Sequence, residues 1–101
     1  MKYAAIAATA FALALSVAGP AAAAQGHIHW THDGEHWFTQ PSPKAGCHTV
    51  AQEDEEPARL LRNETNSPIY AYAEADCKGS ATLMYPKDHT FEEVRSYHVA
   101  F

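Results

Sequence analysis

The stretch HIHWTHDGEHWF, residues 27–38, sets the first element of the fold. Asp33 and Gly34 stand between two runs rich in aromatic residues, and an Asp-Gly pair is typical of a two-residue β-hairpin turn. The stretch therefore predicts two antiparallel strands closed by these two residues. In that register Trp30 faces Trp37, and an aromatic cross-strand pair stabilises a hairpin by up to about 1 kcal/mol.

Strand alternation in the same register places three of the histidines, His27, His29 and His36, on one face of the hairpin. Imidazole nitrogens are suitable ligands for Zn, Cu and Ni. The sequence therefore predicts a surface site for one such ion on these three side chains. The alternative is a solvated histidine-rich hairpin that binds no metal.

The rest of the chain favours short strands separated by turns, with little helical periodicity and no visible internal repeat. The predicted fold class is all-β: a small β-sandwich or Greek-key-like domain with an N-terminal hairpin and one disulfide. The predicted segments are a hairpin over 25–40, a proline-rich linker over 41–45 and a β domain over 46–101. The predicted strands cover 27–31, 35–39, 46–51, 58–63, 69–73, 81–85 and 94–101.

The first 24 residues have the pattern of a signal peptide that is removed on secretion. Lys2 precedes an apolar run, and Ala22 and Ala24 supply an A-x-A cleavage pattern. Cleavage after Ala24 would leave Gln25-Gly26-His27 at the start of the mature chain. A free amine with histidine third is a square-planar Cu(II) or Ni(II) ligand set, unless Gln25 cyclises to pyroglutamate and removes the amine.

Two cysteines, Cys47 and Cys77, are the whole cysteine content. An even count in a small secreted chain predicts a disulfide. Closing a loop of about 30 residues stabilises a fold by roughly 3–4 kcal/mol in the chain-entropy model. A pair of metal-binding thiolates is the alternative.

The charge balance is acidic. Twelve acidic and seven basic residues give a formal net charge of −5, and Lys2 is the only charged residue in the predicted signal segment, so the remainder carries −6. This charge disfavours nucleic acid and anionic membranes as partners, and we expect a monomer. The acidic run 53–56, which Pro57 ends, predicts a solvated loop.

One segment resembles a known family. Tyr72 and the four residues after it lead to Cys77 and then Gly79, a pattern similar to the Tyr-x4-(aromatic or Cys)-x-Gly signature of a βγ-crystallin Greek key. The resemblance extends over about 30 residues from Ile69 onward and implies a small β-sandwich. Some secreted microbial members of the family inhibit proteases or have toxin-like activity, and the resemblance implies such a role for this chain.

A second part of the resemblance concerns calcium. Glu92, Glu93 and Ser96 are similar to the family's acidic-acidic-x-x-Ser-Ser segment, which implies a calcium site. Two glutamates replace the usual Asp or Asn, and Tyr97 stands where the second serine is usual. A plain exposed turn is the alternative.

The remaining chemistry favours binding over catalysis. The sequence has no G-x-S-x-G, H-E-x-x-H or phosphate-loop motif. Tyr70, Tyr72 and Tyr85 are candidates for a protein-binding surface, with sheet packing as the alternative. We expect a small secreted non-enzymatic protein of the inhibitor or effector kind that binds an extracellular protein, with metal sequestration as the first alternative and a small hydrolytic enzyme as the second. Asn63-Glu64-Thr65 is also a glycosylation sequon.

Overall fold

The computed structural model describes residues 23–100, so all of the predicted signal segment over 1–24 except its last two residues lies outside the described residues. The described chain is all-β, as predicted, apart from one short 3₁₀ turn at Ala75–Cys77. The eight strands are β1 Gly26–Thr31, β2 Trp37–Pro41, β3 Gly46–Thr49, β4 Leu60–Thr65, β5 Ile69–Glu74, β6 Lys78–Met84, β7 His89–Thr90 and β8 Ser96–Val99.

The strands form two four-stranded antiparallel sheets. The first sheet has the order β2-β1-β4-β7 and the second has the order β3-β8-β5-β6. The two halves of the chain therefore have the same connectivity. In the first half, β1, β2 and β4 lie in the first sheet and β3 lies in the second. In the second half, β5, β6 and β8 lie in the second sheet and β7 lies in the first. The predicted sandwich is confirmed, and the chain contains a repeat of connectivity that its sequence does not show.

The N-terminal hairpin is built into this sandwich. Strand β1 lies between β2 and β4 in the first sheet, and Ile28 from β1 packs in the core. The segment predicted as a linker, 41–45, carries the chain from the first sheet to the second. Ala24 is only 3% exposed and donates its N–H to the carbonyl of Pro43 at 2.9 Å.

Alternation along each strand fills the space between the sheets. Ile28 and Leu61 enter it from the first sheet, and Ile69, Tyr97 and Val99 enter it from the second. Full burial of a side chain of this size stabilises a fold by roughly 1.5–3 kcal/mol. These residues hold the two sheets together.

A buried asparagine joins the sheets by hydrogen bonds. The Asn63 side chain is fully buried and donates to the carbonyl of Ser67 at 2.9 Å and to that of Met84, in the second sheet, at 3.2 Å. Its oxygen accepts the Thr65 hydroxyl at 2.6 Å. The side-chain nitrogen to which a glycan would be attached is thus buried and hydrogen-bonded. In the folded protein the Asn63 side chain therefore joins the two sheets and is not open to glycosylation.

The second hairpin, β5 to β6, is locked at its turn. The predicted disulfide between Cys47 and Cys77 is confirmed, with a Cα–Cα distance of 6.0 Å. The buried Ser96 hydroxyl donates to the carbonyl of Glu74 and accepts the N–H of Cys77 at 2.8 Å. Gly79 has φ of 83°, and a Cβ there would lie 2.9 Å from the Glu74 carboxylate, so this turn requires glycine.

Candidate binding faces

The register of the first hairpin differs from the predicted one. Thr31 pairs with Trp37 and His29 with Thr39, so residues 32–36 form a five-residue loop and the prediction of a two-residue Asp33-Gly34 turn is wrong. The Asp33 carboxylate accounts for the longer loop because it accepts the backbone N–H groups of Glu35 and His36, each at 2.8 Å. An aspartate that caps its own loop replaces the two-residue turn.

The same carboxylate also holds an imidazole. His36 Nδ1 lies 2.6 Å from Asp33 Oδ2. The backbone N–H of His36, its ring and the backbone N–H of Glu35 together hold the pKa of Asp33 well below its usual range.

The one-residue shift separates the two tryptophans onto opposite faces of the sheet. Trp30 stacks on Phe38 with ring centroids 5.9 Å apart and lies 6.4 Å from the Tyr97 ring in the core. Trp37 lies on the outer face and is 44% exposed. The predicted Trp30–Trp37 pair is therefore wrong.

Of the predicted metal ligands, two are neighbours and one is not. The His27 and His29 rings stack with centroids 5.6 Å apart on the outer face of β1. His36 lies in the loop on Asp33, because the shifted register takes it out of the strand. Within residues 23–100 no three His, Cys, Asp or Glu side chains are grouped so as to hold an ion. Zinc or copper binding stays a prediction that now depends on His27 and His29.

The predicted N-terminal copper or nickel motif involves backbone already used by the sheet. Gly26 pairs with Thr65, and His27 pairs with Glu64. Gln25 donates its N–H to the Asn66 side chain at 2.9 Å. The motif needs the backbone nitrogens of residues 26 and 27 as ligands, so forming it requires the start of β1 to leave the sheet.

The residues of the predicted calcium segment are separated in role. Ser96 is buried and its hydroxyl is bonded to the β5–β6 turn. Glu92 and Glu93 are exposed, and Glu92 accepts the Thr82 hydroxyl at 3.2 Å. Of the three predicted calcium ligands, only Glu92 and Glu93 are exposed. Calcium binding by these two carboxylates stays a prediction.

An open pocket lies on the outer face of the first sheet. His27 and His29 come from β1, Trp37 comes from β2, and Arg62 and Glu64 come from β4. Across β1 and β4, His27 is directly opposite Glu64 and His29 is directly opposite Arg62. The alternation of β4 predicts an outward Arg62 and Glu64, but their approach to the histidines depends on a strand pairing between residues far apart in sequence.

Local contacts hold three of the side chains that line the pocket. His29 Nδ1 is hydrogen-bonded to the Thr39 hydroxyl at 2.8 Å. Partial burial lowers the pKa of His29, and the neighbouring His27 and Arg62 lower it further, against the opposing charge of Glu64. Arg62 and Glu64 form an ion pair at 3.1 Å.

The outer face of the second sheet is apolar, whereas the outer face of the first sheet is polar. Tyr70 on β5 pairs with Leu83 on β6, and each is 41% exposed. Tyr85 follows two residues after Leu83 and is 59% exposed. Tyr72 is half-buried on the same strand as Tyr70, whereas Tyr97 is fully buried in the core. We call Tyr70, Leu83 and Tyr85 the tyrosine face.

The acidic loop over 53–56 is exposed, as expected, but it is held in place. The Arg95 guanidinium donates to the carbonyls of Gln52, Glu53 and Glu55 at 3.0–3.4 Å. The Glu53 carboxylate accepts the N–H of Ala75 at the β5–β6 turn. The loop therefore places fixed negative charge at one end of the second sheet.

No family model, curated protein or solved structure matches the chain. In the part of the chain from residue 23 to 100, no helix has the length and apolarity to cross a membrane.

Proposed function

We propose that this chain is a secreted, non-enzymatic binding protein of the inhibitor or effector kind, and that it captures an extracellular protein through the tyrosine face. The observation that carries the proposal is the exposed cross-strand pair of Tyr70 and Leu83 on the outside of a closed sandwich. Tyrosine is enriched among residues that dominate binding energy at protein interfaces.

The charge of the chain indicates what the partner presents. Residues 25–101 carry six more acidic than basic side chains, and the acidic loop lies at one end of the sheet that bears the tyrosine face. A partner with an apolar centre and a basic rim is complementary to this surface. The proposed secretion rests on the signal-peptide pattern and is supported by the disulfide.

The relationship to βγ-crystallins stays part of this proposal. Its support is the two-sheet sandwich, whose first half repeats the connectivity of the second, and the positive φ of Gly79 in the segment that carries the resemblance.

Site-specific photo-crosslinking in the producing culture tests the partner. A photo-reactive amino acid placed at Leu83 should crosslink one extracellular protein, and the same amino acid at Thr39, on the outer face of the other sheet, should not. With that partner purified, Tyr70→Ala should weaken binding at least about tenfold, or 1.4 kcal/mol. Trp37→Ala, on the opposite face, should leave the affinity within about twofold. Equal crosslinking from both positions would refute the proposal, as would a partner indifferent to Tyr70→Ala.

Divalent-metal binding is the second candidate, favoured by the stacked His27 and His29 on one face. Calorimetry with Zn(II) and with Cu(II) tests it. A real site loses at least about tenfold in affinity in His27→Ala and in His29→Ala but is unchanged in His36→Ala, because Asp33 holds that ring elsewhere. Affinity no tighter than about millimolar, or equal losses in all three variants, would end this candidate.

A further inference from the structure

The outer pocket of the first sheet has a flat apolar wall and a polar floor and rim. Trp37 supplies the apolar wall from β2, and nearly half of its surface is open to solvent. His27 and His29 form the floor, and Arg62 and Glu64 form the far side. The open pocket has a volume of about 420 Å³, which is within the range of small-ligand sites.

The charges in this pocket cancel. Arg62 and Glu64 are paired with each other at 3.1 Å and both line the pocket. A pocket with balanced charge offers a free anion or cation little electrostatic gain over water. Its composition suits a neutral ligand.

The polar groups offer donors and acceptors together. The Arg62 guanidinium only donates and the Glu64 carboxylate only accepts. His29 uses Nδ1 on Thr39, which leaves Nε2 for a ligand. Hydroxyl groups both donate and accept, so a ligand rich in hydroxyls can satisfy all of these partners.

We propose that this pocket binds one uncharged sugar unit of a glycan, with the C–H face of the ring on Trp37 and its hydroxyls bonded to His29, Arg62 and Glu64. A pyranose has one apolar face and a rim of hydroxyls, which matches the flat wall and the polar side of the pocket. The site lies on the opposite sheet from the tyrosine face, so it is independent of the proposed protein partner.

The two tryptophans of the chain provide a direct test by NMR. Each has one indole N–H, and Trp30 lies on the other face of the sheet, so its resonance is an internal control. The probes are cellopentaose, chitopentaose and mannopentaose, each titrated to 10 mM, then inorganic phosphate and Zn²⁺ alone. At least one sugar should shift the Trp37 signal saturably with Kd of about 1 mM or tighter and leave Trp30 in place. The titration should be unchanged between low and high salt, because the ligand is neutral.

Variants on one strand complete the experiment. Trp37→Ala removes the indole signal, so its sugar binding is followed by the backbone amide signals of His29 and Arg62, and it should be weakened at least about tenfold. Phe38→Ala, which removes an exposed aromatic from the other face of β2, should leave it within about twofold. A response to phosphate or Zn²⁺ but to no sugar would overturn the proposal. So would the absence of any response at Trp37, or sugar binding that survives Trp37→Ala.

Discussion

The two halves of the chain use one connectivity but present different surfaces. Arg59 donates its N–H to the carbonyl of Thr31 and Arg95 donates its N–H to that of Tyr72, so Thr31 and Tyr72 are equivalent, as are His29 and Tyr70 two residues before them. Each of the latter two lies opposite a residue of its hairpin partner and a residue of the last strand of its own half. In the first half those partners are Thr39 and Arg62. In the second half they are Leu83 and His98. The same position in one framework is therefore a polar pocket on one sheet and an apolar patch on the other.

The halves also differ in how their first hairpins close. An aspartate side chain, Asp33, closes the first by accepting four hydrogen bonds, from the Thr31 hydroxyl, the Glu35 N–H and the N–H and ring of His36. In the second half, the Cys47–Cys77 disulfide and the Ser96 hydroxyl hold the hairpin of β5 and β6 closed. The first closure depends on one exposed ionised group, and the second is covalent and partly buried. The first hairpin should therefore be the one that responds to pH.

Removing the covalent closure should have the largest effect. Replacing Cys47 and Cys77 together by alanine should lower the free energy of unfolding by about 3–4 kcal/mol, because the unfolded chain regains the freedom of the closed loop. Urea denaturation measures this loss. Reduction of the native protein should produce a loss of similar size. A loss under about 1 kcal/mol would show that Ser96 and the core hold the second hairpin unaided.

Replacing the buried Asn63 by valine gives the first half the residue that the second half has at the equivalent position. Asn63 is equivalent to Val99, since they pair with Ile28 and Ile69 respectively. Asn63→Val should lower the free energy of unfolding by about 2–3 kcal/mol, because the buried Met84 carbonyl and the backbone N–H of Thr65 each lose a hydrogen bond to the Asn63 side chain. Urea denaturation is again the measurement.

Asn66→Ala is the matched control for this variant. Asn66 is exposed and its side chain accepts one hydrogen bond, from Gln25. Its loss should cost under about 1 kcal/mol. Equal effects of the two variants would mean that the Asn63 network contributes nothing beyond one ordinary bond.

The smallest effect should be the acid response of the first hairpin. Since the folded pKa of Asp33 is depressed, its contribution to stability is complete above the ordinary value near 3.9 and disappears as the pH falls through the folded pKa. Asp33→Asn keeps a side-chain oxygen for the backbone N–H groups but removes the titration. Thermal melts from pH 5 to pH 2 should therefore fall less steeply in this variant, and parallel curves would contradict the prediction.

The sequence predicts local features well and non-local ones poorly. Alternating β-formers and frequent turns are enough to indicate the all-β class, and the two cysteines leave one pairing. Strand β7 is missed, because His89–Thr90 is only two residues long and follows a proline turn. The pocket is missed because Arg62 and Glu64 join the histidines only through the pairing of β1 with β4.

The hairpin register fails for a different reason. The Asp-Gly pair does end the first strand, but the Asp33 side chain forms more bonds in a five-residue loop than a two-residue turn would allow. A change of one in the register moves every following side chain to the other face. One capping carboxylate thus decides which histidines can share a ligand.

The burial of Ala24 bears on whether the predicted cleavage after this residue can take place in the folded chain. Its side chain lies in the core, its N–H is bonded to Pro43 and the N–H of Gln25 is bonded to Asn66, so the backbone on both sides of Ala24 is held by the fold once the sandwich has formed. On the proposal that the chain is secreted and cleaved after Ala24, a signal peptidase must therefore act before the two sheets close. If the predicted cleavage occurs, folded precursor should resist the enzyme that cleaves the denatured precursor.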